Sequence, residues 1–204
     1  MGIPNVVALG STTLTEDHIN LLLKYNVRTI YLIFDGDEGG VRGTELAIER
    51  LAPYCSNNKG RMRAMIYELD SGKDPDDIVR EIGPDEFMKK CRSDSVTPFA
   101  WTLKKATFQD DPLSVAQKAI PIIAAEESPI ARTRMIKDLA SITNVSEEDI
   151  KKEVELKLDI SVGAFLEELS EINKTIQIQL NRRKVGDTKS ILEDSLLRIK
   201  RLEQ

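Results

Sequence analysis

Two short stretches concentrate the oxygen-donor chemistry of this chain. Phe34-Asp35-Gly36-Asp37-Glu38-Gly39-Gly40 sets two carboxylates one residue apart across a glycine. Ser71-Gly72-Lys73-Asp74-Pro75-Asp76-Asp77 supplies three more acids. Gathered together, Asp35, Asp37, Asp74, Asp76 and Asp77 would repel strongly unless protonated or shared with cations. An oxygen-only, carboxylate-rich site suits Mg²⁺ or Mn²⁺, with waters and substrate phosphates completing the shell. The reaction such a site serves best is phosphoryl or nucleotidyl transfer, where metal activates the attacking oxygen and neutralises charge on the leaving group. The glycines permit a tight turn and let a phosphate come close to backbone. This pattern constrains the reaction class, not the substrate.

Each stretch alone also fits a plainer description. Asp and Gly are the commonest turn residues, and Asp74 followed by Pro75 is a good helix cap with Pro at the first helical position. What favours metal is the placement of both stretches at the ends of successive strands. Residues 29–34 (TIYLIF) form an almost continuous apolar run, as expected of a strand buried on both sides, and residues 62–68 (MRAMIYE) alternate as a further strand. Residues 5–9 (NVVAL) make a third, ended by Gly10. Thr15 offers an N-cap to a helix with Ile19, Leu22 and Leu23 on one face. Residues 41–51 read as a helix broken by Pro53, and residues 74–82 as another, with Pro84 restarting a helix. Repeated β-α-β units imply a parallel sheet with helices on both faces. In such sheets the loops after the strands emerge at one edge, where ligands bind.

After a polar linker at residues 92–97 the strand signals stop. Asp111-Pro112 and Ser128-Pro129 each pair an N-cap with a first-position proline, Pro121 should kink or divide its helix, and Ser146 with Asp149 resembles a capping box. Residues 162–184 and 189–202 read as helices joined by a turn at Gly186-Asp187, an αα-hairpin.

Composition removes several alternatives. Apolar residues make up 41% and charged residues 31%, as in an ordinary folded protein. No apolar run approaches the roughly 20 residues that span a bilayer, and no signal segment opens the chain, so the cytoplasm is expected. Cys55, Cys91 and the single His18 are too few and too scattered for a structural zinc site. The two thiols are expected reduced and partly buried, and His18 at the surface rather than catalytic. A net charge of −5 argues against a stand-alone nucleic-acid binder. There is no GxxxxGK[ST] phosphate loop. An EF-hand starting at Asp35 would need Glu where Leu46 stands and a helix where TIYLIF stands. A haloacid-dehalogenase-type phosphatase would need Thr or Val where Gly39 stands. Phe99 and Trp101 are expected to pack in a helical core, and Lys59, Arg61 and Arg63 to be isolated surface charges.

Taken in order, residues 3–12 (IPNVVALGST), the helix from Thr15, FDGDEGG and GKDPDD resemble the Toprim part of the DnaG-type primases, DNA-dependent RNA polymerases that lay down primers for replication. The resemblance covers about residues 3–91. The region from about 95 to 155 is similar to the helical subdomain that follows it. The resemblance implies an N-terminally incomplete Toprim-like α/β domain over residues 1–92, a helical subdomain over 95–157 and a hairpin of unknown role over 160–204. It makes Asp35 and Asp37 metal ligands, with Asp74 and Asp76 completing the acidic cluster and Asp77 and Glu38 beside it. It also implies single-stranded DNA template and nucleoside triphosphates as partners of the whole enzyme. In the family a strand bearing a Glu-Gly motif precedes the segment equivalent to Gly2-Ile3-Pro4, and its Glu is regarded as the acid/base residue. This chain starts after it, and the zinc and template-gripping regions are also missing, so an inactive fragment is expected. Two alternatives stand beside this: a non-catalytic module whose helical hairpin, with Arg182, Arg183, Lys184, Arg198, Lys200 and Arg201, docks a replicative helicase, or a piece of another Toprim enzyme such as a nuclease or topoisomerase.

Overall fold

A computed structural model describes residues 3, 5–10, 13–55, 62–106 and 111–181. Contacts divide the chain into two units, Met1–Lys151 and Lys152–Gln204. The first holds a parallel two-stranded sheet, β1 (Thr29–Leu32) against β2 (Arg63–Ile66), in a register pairing Thr29 with Arg63 and Leu32 with Ile66. The helix α1 (Glu16–Lys24) precedes β1, and α2 (Glu38–Cys55) is the crossover between the strands. α3 (Pro75–Ile82) and α4 (Pro84–Ser93) follow β2, and α5 (Pro98–Lys105), α6 (Pro112–Ala125) and α7 (Pro129–Thr143) complete the described helices before α8 (Glu147–Asn181).

The core is built from both halves of this unit. Leu14, Ile19, Leu32, Ala47, Ile48, Leu51, Met62, Ala64 and Ile66 cluster with Trp101 of α5, all buried. Burial of one Leu or Ile side chain contributes about 1.5–3 kcal/mol. α5 packs on β2, and α6 packs on α2, α5 and α7. Lys118 of α6 reaches Glu45 of α2 at 2.7 Å. Phe99 and Trp101 are core residues, as their helical setting implied.

Several expectations need correction. Residues 5–9 form no strand, and Val6 and Val7 are 59% and 76% exposed. Their backbone has no ladder partner among the described residues, and an apolar run without one gains nothing from extension. β1 and β2 stop at Leu32 and Ile66, and in β1 only Leu32 is fully buried, so it is not buried on both sides. α2 begins at Glu38 and runs through Pro53 to Cys55 rather than breaking there. Pro53 lies in the last turn and removes one bond, to the Glu49 carbonyl, where little helix remains to lose. Pro121 likewise sits inside α6 without dividing it, because α5 and α7 pack against that helix. Inside the polar linker, Val96 makes an antiparallel bridge to Ile66, with both backbone bonds at 2.9 Å. The helix expected to begin at residue 162 is continuous with α8 from Glu147. Its hairpin turn, the helix over 189–202 and the basic cluster from Arg182 onward lie outside the described residues.

Helix ends follow the sequence closely. Asp111 and Ser128 cap α6 and α7 ahead of their prolines. Ser146 Oγ accepts from Asp149 N at 3.1 Å and donates to Asp149 Oδ2 at 2.7 Å. His18 is part of a reciprocal cap: its Nδ1 accepts from Thr15 N at 3.2 Å while Thr15 Oγ1 accepts from His18 N at 3.3 Å. None of the described helices is long and apolar enough to cross a membrane.

Both cysteines are unpaired, Cys91 buried and Cys55 half-buried. Burial pushes each thiol up to about 11, against a weaker opposing pull from a backbone hydrogen bond. At pH 8 only about one thiol in a thousand would then be thiolate, the reactive form. We expect a disulfide reagent at pH 8 to leave the folded chain unlabelled over minutes and to modify both sites in guanidinium. Rapid stoichiometric labelling of the folded chain would contradict this.

Candidate metal centre

The DGDEGG loop leaves the end of β1 and starts α2. Asp37 sits at its cap position: Gly40 N donates to Asp37 Oδ1 at 2.7 Å and Val41 N to Asp37 O at 3.0 Å. Gly40 is buried there, and its carbonyl accepts from Thr44 Oγ1 at 2.8 Å. The SGKDPDD loop leaves β2 and runs alongside. Gly36 N donates to Lys73 O, and Gly72 N to Gly36 O, both at 2.8 Å. The two acidic loops are therefore joined by backbone, as the strand-end argument required.

The glycines matter for a different reason from the expected one. A Cβ on Gly36 would lie 2.0 Å from the Asp70 carbonyl oxygen, and one on Gly40 would lie 1.9 Å from that of Asp35. Their hydrogens are needed to let protein carbonyls approach, not to admit a phosphate.

A cavity of about 360 Å³ opens at this edge. Asp35, Asp37 and Glu38 line it, with Gly36 and Ser71, and Phe34, Val41 and Ile66 add apolar lining. Asp35, Asp37 and Glu38 are exposed. Asp74, Asp76 and Asp77 do not line it. Asp74 caps α3, its Oδ1 accepting from Asp77 N at 2.8 Å, and Asp76 pairs with Arg80 at 2.7 Å. Among the described residues no three His, Cys, Asp or Glu side chains converge on one ion-sized point. Magnesium, however, is commonly held by one or two carboxylates with waters and phosphates filling the shell. The carboxylates of Asp35 and Asp37 on the cavity wall fit that requirement. Asp74 and Asp76 fit it only after leaving their present partners.

Further lining comes from residues that the motifs did not indicate. Tyr67 and Glu68 at the end of β2, with Trp101 and Lys105 of α5, line the same cavity. Glu68 is paired with both Lys104, at 2.7 Å, and Lys105. Burial alone would raise the Glu68 carboxyl, but hydrogen bonds and charge from the two lysines outweigh it and hold it below its ordinary value. Tyr67 is raised by burial first and then by neighbouring Cys91, Asp94 and Asp70, so it is a neutral phenol at pH 7. Its ring meets Phe87 of α4 edge-on at 5.8 Å. No local sequence signal marks this wall, because α5 reaches the cavity only through tertiary packing.

The Toprim-like family matches residues 1–79. A DNA primase from Pseudomonas aeruginosa is 30% identical over 155 residues, which cover 73% of this chain and 23% of the relative. One from Listeria innocua is 26% identical over 166 residues, covering 77% and 25%. The crystal structure of a DNA primase domain from Pseudomonas aeruginosa superposes with a TM-score of 0.55 at 27% identity, over 72% of this chain and 46% of that one. The chain is DnaG-primase-like. The Toprim-like fold, with its small parallel sheet and flanking helices, is thus common to this chain and a primase domain, and the likeness extends past α4 into the helical region. This primase-like chain spans about a quarter of the length of the curated relatives it matches.

Proposed function

We propose that this chain contributes the acidic divalent-metal site of a DNA primase, a polymerase that joins ribonucleoside triphosphates on a single-stranded DNA template. The supporting observation is the cavity at the β1 and β2 ends, which Asp35 and Asp37 both line, in a chain whose relatives are DNA primases. Mg²⁺ or Mn²⁺ there would neutralise charge on the phosphates during nucleotidyl transfer. Asp35 and Asp37 would hold it. Asp37 can do so while capping α2, since a carboxylate offers several lone-pair sites. Asp74, Asp76 and Asp77 would complete the acidic edge, acting through metal-bound water or by exchanging their present partners for the ion.

Fe²⁺ substituted for Mg²⁺, with ascorbate and peroxide, cuts backbone close to the bound ion. Cuts are expected around residues 35–38 and 66–71, suppressed by excess Mg²⁺. Cuts confined to other parts of the chain, or indifferent to Mg²⁺, would overturn the assignment. Additional cuts at residues 74–77 would bring the α3 acids into the ligand set.

A further inference from the structure

The cavity lining also holds a lysine, Lys105, and two aromatic rings, Tyr67 and Trp101, and nothing in the motifs accounts for them. Glu68 accepts from two ammonium groups, Lys104 and Lys105. One carboxylate shared by two lysines leaves a surplus of one positive charge. Lys105 is the better placed of the two. It lines the cavity, and its Nζ lies 5.8 Å from the centre of the Trp101 ring. Lys104 does not line the cavity, and its side chain is 64% exposed. The indole and the Glu68 bond together restrict Lys105, so less side-chain freedom remains to be lost when an anion arrives.

A cavity lined both by carboxylates and by a held ammonium suits a ligand that carries both charges: a cation together with anionic oxygens. A metal-bound phosphate chain has this form. The volume lies in the range of small-molecule sites, too small for a nucleic-acid duplex. We infer that Lys105, held by Glu68 and Trp101, is a phosphate-binding residue that receives the di- or triphosphate end of a metal-bound nucleotide in the cavity that Asp35 and Asp37 also line. Lysine acts at such a site as a point charge. The inference rests on the metal reading above, and its test separates the two.

Trp101 is the only tryptophan, so intrinsic emission reports on this cavity directly. Titration with inorganic pyrophosphate, with and without Mg²⁺, should change that emission saturably. Lys105→Gln should weaken pyrophosphate binding about ten-fold or more, the size expected from loss of a charge-assisted bond. Lys105→Arg should restore most of it, and Lys104→Gln should matter less. Glu68→Gln should change affinity in the other direction, because it removes the competing carboxylate. Mn²⁺ affinity, measured alone by calorimetry, should be the same in Lys105→Gln as in the parent. Thermal melts identify any variant that fails to fold, and Lys105→Arg against the parent then carries the comparison. Unchanged pyrophosphate affinity in Lys105→Gln overturns the inference. So does the absence of any emission change in the parent, or a single-stranded oligonucleotide that binds without competition from pyrophosphate. A parent that binds no Mn²⁺ sinks the metal reading alone, and the metal-free pyrophosphate arm still decides Lys105.

Discussion

Replacing Asp35 and Asp37 together by asparagine is expected to abolish the saturable heat of Mn²⁺ binding while leaving the melting temperature within a few degrees of the parent. The two readouts separate because asparagine keeps the size of aspartate and its amide oxygen can still accept from Gly40 N; Asn and Asp are about equally good at a helix cap. What disappears is two negative charges on the cavity wall, and a hard cation held by oxygen ligands depends on that charge. Asp74→Asn should conserve the α3 cap in the same way. It is expected to weaken Mn²⁺ by less than about ten-fold, or about 1.4 kcal/mol, because Asp74 now faces Asp77 rather than the cavity. Isothermal titration with each variant decides the order. Equal heats for the double variant and the parent would remove the chemical basis of the assignment.

Gly40→Ala should destabilise the fold by about 2–4 kcal/mol. The added carbon would sit 1.9 Å from the Asp35 carbonyl oxygen, a backbone atom. That carbonyl belongs to the loop bonded to residues 70–73, so it cannot move without pulling on Gly36 and Lys73. Gly163→Ala makes the internal comparison. It lies within α8 with nothing within 4 Å of the added carbon, so helix propensity should leave it neutral or more stable by up to about 1 kcal/mol. Urea unfolding, fitted for both midpoint and slope, reads both variants. Equal midpoints for Gly40→Ala and the parent would mean that the loop relaxes freely around the added carbon.

How much of this could be read beforehand depended on whether the determinant was local. Caps are local, so Thr15, Asp74, Asp111 and Ser128 were legible from residue type and spacing alone. So was the pairing of the two acidic loops, because consecutive strands of a parallel sheet release their loops at one edge. Strand existence was less legible. NVVAL has the composition of a strand, but a strand forms only where a neighbour offers a ladder, and neighbours are not written in the run itself. Pro121 misled for the same reason: the cost of a proline in a helix is local, while the packing of α6 against α2, α5 and α7 that offsets it is not. The five-acid cluster was inferred from loop proximity. In the structure the loops do meet, yet the α3 acids turn to capping and to Arg80, because a carboxylate at a helix start has backbone donors immediately at hand. The Glu68, Trp101 and Lys105 wall had no signature at all.

The two hydrogen bonds linking Gly36 with Gly72 and Lys73 have one more implication. They clasp the turns into a single plate, so the start of α3 cannot swing in toward Asp35 and Asp37 as an independent flap. Any recruitment of Asp74 or Asp76 must come from rotation about side-chain bonds, a nanosecond-scale adjustment, and not from slower gating by the chain. The acidic edge is in that sense preassembled, and its response to an arriving ion is set by rotamers alone.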